Sequence, residues 1–156
     1  MRIVEWIAAW PGAVLLQESG TAYLFVNAAH IIGIALLIGA VLPLDLRLIG
    51  CFPTVPLTVI GPFLSRVAAT GATWAMLTGL WLFSVKPSEY LTNPAFLTKL
   101  ALLTVAIGNI ALQHYGRHFR LAVEGGEIRP RVRILAALSG VIWLCVLVAG
   151  RWIGFL

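Results

Sequence analysis

The chain is short of charge. Of its 156 residues only 11% are Asp, Glu, Lys or Arg, where a soluble domain carries about 25%. That is too few to cover a wet surface, which excludes an ordinary soluble globular domain and a disordered one. Cysteine is scarce too. Cys51 and Cys145 stand far apart with no CxxC, which excludes a disulfide framework and a thiolate metal site. Acidic residues are fewer than basic ones, six against eleven, for a net charge of +5. Much of that excess sits in one segment between apolar runs, so it does not indicate nucleic acid. There is no fixed-period repeat, no low-complexity tract and no linker long enough to divide domains, so residues 1–156 read as a single membrane domain.

What is abundant is apolar. Hydrophobic residues make up 60% of the chain and the mean hydropathy is +0.96. A spanning helix needs roughly 20 mostly apolar residues, because lipid offers the backbone no hydrogen-bond partners. Four segments qualify, at about 23–44, 59–85, 94–115 and 134–153. Breakers separate them: Pro43, Gly50, Pro53 and Pro56, then Pro87 and Asn93-Pro94, then Gly125-Gly126 and Pro130. The expected fold class is all-α, a polytopic membrane four-helix bundle.

Residues 1–19 differ. Ile3, Trp6, Ile7, Trp10 and Val14 recur at helical spacing, with Arg2, Glu5, Gln17 and Glu18 between them. This predicts an N-terminal interfacial amphipathic helix anchored by Trp6 and Trp10. A signal peptide is the competing reading. Glu5 inside the would-be charged region and the lack of an A-x-A site weigh against it.

The arginines orient the chain. Arg117, Arg120, Arg129, Arg131 and Arg133 face only Glu124 and Glu127 between the third and fourth spans, and Arg47 and Arg66 fall on the same side. The positive-inside rule places the 117–133 loop in the cytoplasm and both termini outside, in a bacterial inner membrane. Contact with anionic lipid accounts for the basic loop, with no nucleic acid as partner.

Polar residues within spans are costly and so mark candidate sites. The first span holds Asn27 and His30, one turn apart. The third holds Lys99, Asn109 and Gln113, a stripe completed by Ala106. At 1.5 Å per residue His30 lies roughly 10 Å, and Lys99 about 7 Å, inside the outer start of its span. His114 is about 22 Å further along than Lys99, so His30 and His114 do not converge, whereas His30 and Lys99 can share a ligand. A membrane-embedded imidazole either hydrogen-bonds a backbone carbonyl or Asn27, or ligates a metal. Gly33 and the small residues after it permit close helix packing or leave room for a flat macrocycle. Lys99 either snorkels to the interface or, desolvated, serves as a neutral ligand or base. Asp45, Arg47 and Arg66 read as a structural ion-pair cluster. His114 and His118, at i and i+4, have a metal-binding spacing but no third ligand, and read as a headgroup-facing pair.

The segment from His30-Ile-Ile-Gly-Ile to Arg47, with Phe96-Leu97-Thr98-Lys99-Leu100 running on to Tyr115-Gly116-Arg117, resembles the HemJ-type protoporphyrinogen oxidases and the wider copper-resistance-D group. Thr78-Gly79-Leu80 is compatible with the same group. The chain is also similar to small four-span bacterial proteins with an LDLRLxG signature, here Leu44 to Gly50. The HemJ resemblance implies haem b, with His30 as an axial ligand and Lys99 as the second or supporting group. No C-x-x-C-H occurs, so such a haem would be non-covalent. That group's tryptophan falls at Leu37 here, and its Asn-Glu-x-Pro aligns with Ala136, Ala137, Leu138 and Ser139. The carboxylate that could handle protons in porphyrinogen oxidation is thus missing from that position. The expected function is electron transfer near the outer face, with a quinone or a redox protein as partner and a homo-oligomer as a further association. Alternatives are a HemJ-like oxidase, copper transport and a cofactor-free structural subunit. Copper transport has few soft ligands to draw on, since only Met76 and Cys145 lie well within spans.

Overall fold

The computed structural model describes residues 2–155; Met1, the first residue of the expected interfacial helix, lies outside them. The chain opens with two short helices, α1 (Arg2–Ala9) and α2 (Pro11–Glu18). Four long ones follow in register with the apolar runs: α3 (Gly20–Ile49), α4 (Leu57–Phe83), α6 (Pro94–His114) and α8 (Pro130–Trp152). Between them lie α5 (Pro87–Thr92) and α7 (Arg117–Val123), and a 3₁₀ turn (Ile153–Phe155) ends the described chain. No strand occurs among the described residues.

By length and composition three helices can cross a membrane: Gly20–Ile49, Pro94–His114 and Pro130–Phe155. The fourth expected span, α4, is long enough at 27 residues. Arg66, four threonines and three glycines dilute its apolar character. It nevertheless makes the most extensive helix contact in the molecule, against α3; α8 packs on both α6 and α3.

Local chemistry sets the boundaries. Ser19 caps α3 by accepting from the Ala22 amide, and Gly50 stops it with a φ of 123°, a conformation costly for other residues. Asn93 caps α6 by accepting from the amides of Ala95 and Phe96. Proline opens α2, α5, α6 and α8 in the first turn, where no amide is needed.

Two expectations change. The N-terminal segment is broken at Trp10-Pro11 and docks by hydrogen bonds onto the far end of α4. Trp10 Nε1 donates to Ser84 Oγ at 3.0 Å, and Trp81 Nε1 donates to the Gly12 carbonyl at 2.8 Å. Gln17 Nε2 donates to the Val85 carbonyl at 3.1 Å. Ala13 and Leu16 are buried there, while Trp6 stays exposed. The basic loop, in turn, contains a helix: α7 buries Phe119 and Ala122 against a core with Leu44, Leu48, Leu57, Val132 and Ala136.

Candidate functional site

His30 is held in the seam between α3 and α4. Its Nδ1 lies 3.1 Å from Thr78 Oγ1. The Thr78 hydroxyl proton is already committed, to the Trp74 carbonyl at 2.7 Å. Thr78 therefore accepts, and His30 Nδ1 must carry the proton and donate. Nε2 keeps its lone pair and makes no hydrogen bond among the described residues. Metal-binding histidines are commonly fixed in this way, through the nitrogen that does not ligate. Gly79 makes room for the ring, since a Cβ there would stand 3.0 Å from His30 Cε1. Next to the site, Trp74 Nε1 donates to the Ala29 carbonyl at 2.9 Å.

Lys99 sits in a different seam, between α6 and α8. Its side chain lies along Gly150, where an added Cβ would stand 3.5 Å from Nζ and 3.6 Å from Cε. Nζ has no ion-pair partner among the described residues, whose two ion pairs are Lys86–Glu89 and Arg120–Glu124. Both groups lie toward the end of the molecule where α3 and α6 begin and α4 and α8 end. Asn27, one turn before His30, does not satisfy the ring; Thr78 does. Gly33 serves packing. A Cβ there would stand 2.7 Å from the Ala75 amide nitrogen, so α4 backbone fills the room foreseen for a macrocycle at that position.

The end carrying His30 and Lys99 is tied together by polar and aromatic contacts. Asn93 Nδ2 donates to the Ile153 carbonyl. Phe83 stacks on Phe96 with centroids 5.5 Å apart, and Tyr90 packs against both. Burial, with Tyr23 alongside, pushes the Tyr90 hydroxyl above its ordinary range, so it stays a neutral donor at physiological pH.

The Asp45, Arg47 and Arg66 trio is not assembled as an ion-pair cluster. Arg47 turns to the following loop, with Nε donating to the Val55 carbonyl at 2.7 Å and Nη2 to that of Pro53 at 3.2 Å. Arg66 is exposed on α4. Asp45 is 5% exposed, and its Oδ2 has no partner. His114 and His118 are separated by the break between α6 and α7, so they do not share one helical face. His114 bonds back to the Ile110 carbonyl, and His118 Nδ1 is buried without a partner. No group of three or more His, Cys, Asp or Glu among the described residues could hold a metal ion.

For a haem, the donors fit and a ready-made slot does not. His30 offers an anchored imidazole with a free Nε2, and Lys99 an amine with no ion-pair partner. Two open grooves lie elsewhere, one around Gly108, Tyr115 and Arg131, the other around Leu36, Phe63 and Arg66. Thr78 and Gly79 stand out in the sequence only as part of the Thr78-Gly79-Leu80 stretch compatible with the HemJ-like group; nothing in the sequence puts them opposite His30.

The chain belongs to a family of unknown function, DUF6644, whose description matches residues 4–156. No curated protein and no solved structure matches it.

Proposed function

We propose that this family member is a multi-pass protein of the bacterial inner membrane that holds a b-type haem non-covalently and passes electrons near the outer face. In this reading α4 is the fourth span of a bundle, both termini lie outside and the segment around α7 faces the cytoplasm. The partner is a quinone or a redox protein. Haem iron would supply one-electron chemistry; the chain supplies ligation, burial and a fixed charge.

One observation carries the reading: His30 has its Nδ1 proton committed to Thr78 and its Nε2 free. An imidazole anchored through Nδ1 presents its unprotonated Nε2 as a ligand. Each neighbour then has a task. Thr78 holds the tautomer, and Gly79 lets the ring lie flat against α4. Lys99, in the neighbouring α6–α8 seam, would supply a second ligand or the positive charge beside the haem. The resemblance to HemJ-type proteins points to the same two residues and supports the choice of group.

The test is the optical spectrum of the full-length protein, oxidised and reduced, purified from haem-sufficient cells. A Soret band lost in His30→Ala, shifted in Lys99→Ala and unchanged in His114→Ala is the expected result. Colourless wild-type protein would overturn the reading. Rescue of a protoporphyrinogen-oxidase-deficient strain would move the haem-bearing protein into the enzyme class.

A further inference from the structure

At the other end of α3 lies a second polar constellation, which the haem reading does not use. Along the face of α8, three side chains from α3 and α6 bury acceptor oxygens without donors: Asp45 Oδ2, Asn109 Oδ1 and Gln113 Oε1. All three residues are at least nine-tenths buried, with exposures of 5%, 5% and 6%. Ser139 of α8, itself 7% exposed, faces the Asp45 carboxyl. Gly140 stands beside it, where a Cβ would be 3.9 Å from Oδ2. Asn109 Nδ2 donates to the Leu135 carbonyl at 3.1 Å, one turn before Ser139, which leaves the amide oxygen as its free end. Asp45 and Asn109 thus line α8 within about one turn of each other.

No cation among the described residues forms an ion pair in this seam. Arg47, on the same helix as Asp45, is engaged with loop carbonyls. Arg66 of α4 and Arg131 and Arg133 of α8 are exposed. Lys99 is ten residues from Asn109, roughly 15 Å along α6. On α7, His118 adds a further buried nitrogen without a partner. An unpaired carboxylate inside a membrane protein is among the costliest arrangements available, and orphaned amide oxygens add to it. Oxygen acceptors around one negative charge are the chemistry of a hard cation. A single positive charge balances the carboxylate, whereas a divalent ion would leave an excess in a low-dielectric seam.

We propose that this seam is a binding site for one monovalent cation, carried as a proton on Asp45 or as an alkali ion among the Asp45, Asn109 and Ser139 oxygens. It is independent of the haem reading, which concerns the opposite end of α3. The proton form removes the buried charge and turns one Asp45 oxygen into a donor. The alkali form replaces water oxygens with side-chain oxygens.

Infrared difference spectroscopy on the full-length protein in detergent micelles tests this, starting in sodium-free choline chloride. A protonated-carboxyl C=O band that persists at neutral pH and is absent from Asp45→Asn is the expected result. Loss of that band on adding sodium chloride at constant pH and ionic strength identifies the alkali ion; indifference to sodium identifies the proton. Ser139→Ala and Asn109→Leu leave Asp45 in place and should each move the half-titrating concentration by about tenfold, which keeps the test open if Asp45→Asn does not fold. An Asp45 that is ionised at neutral pH and indifferent to sodium overturns the proposal.

Discussion

Along one side α3 meets α4 and along another it meets α8, and the two contacts treat polar groups differently. Against α4 the backbones approach closely at glycines. A Cβ on Gly71 would stand 2.5 Å from the Leu37 amide nitrogen, and one on Gly33 2.7 Å from that of Ala75. The polar groups there have partners: His30 with Thr78, Trp74 with Ala29. Against α8 the contact is made by side chains, Leu37, Ile142, Trp143 and Val146, and toward Asp45 it leaves acceptors unmet. Close backbone packing leaves no room for an ion or a water, so every polar group must be satisfied within the protein. The looser, small-residue face of α8 at Ala136, Ser139 and Gly140 tolerates unmet oxygens only if something else meets them.

The largest expected effect tests the first half of that contrast. Gly71→Ala must push α3 and α4 apart and should cost about 1–3 kcal/mol, read as a fall in thermal midpoint of the detergent-solubilised protein. Gly108→Ala, on α6, meets nothing within 4 Å and should gain up to about 1 kcal/mol from better helix propensity. Equal responses would mean that the α3–α4 seam is not glycine-limited.

A smaller effect is expected across the seam from His30. Thr78→Val keeps the shape and removes the acceptor for Nδ1. About 1 kcal/mol of stability should go with that hydrogen bond. If His30 ligates iron, the Soret band should weaken and shift but not vanish, whereas His30→Ala abolishes it. A Thr78→Val spectrum identical to the wild type would show that the threonine does not set the tautomer.

How much of this the sequence discloses depends on whether a feature is local. Helix positions follow from apolar runs and from punctuation such as Ser19, Gly50 and Asn93, so the four long helices were legible to within a few residues. His30 and Lys99 stand out because an ionisable group in an apolar run is conspicuous by itself. Their surroundings do not. Nothing in the chain announces that Thr78 lies opposite His30, or that Gly33 faces Ala75 rather than a ligand, because seam register is a tertiary property. The Asp45 environment misled for a similar reason. Asp45 and Arg47 are two residues apart, which places them on different helical faces, and Arg47 is drawn to the carbonyls of a turn whose path the sequence does not specify. Trp10, with the features of a membrane anchor, also bonds Ser84, 74 residues away, a partner no local signal announces.

The smallest expected change in stability comes from the α8 side, and its smallness is informative. Asn109→Leu removes one hydrogen bond, to a Leu135 carbonyl that already belongs to a helix. Interhelical hydrogen bonds in membrane proteins average about 0.6 kcal/mol. The same substitution removes the buried Oδ1, and an unmet acceptor costs about 1–3 kcal/mol. If Oδ1 is unmet in the native state, these terms offset one another and the thermal midpoint should hold steady or rise slightly in sodium-free buffer at neutral pH. If an alkali ion bridges Oδ1 and Asp45, the variant should also lose the stabilisation that added sodium gives the wild type, because a ligand that binds only the folded state raises its stability. A proton on Asp45 predicts the opposite for sodium: no effect in either protein, with the response confined to pH. A large fall in midpoint under all conditions would show that Asn109 is satisfied by the protein alone, and the two sides of α3 would then follow the same rule.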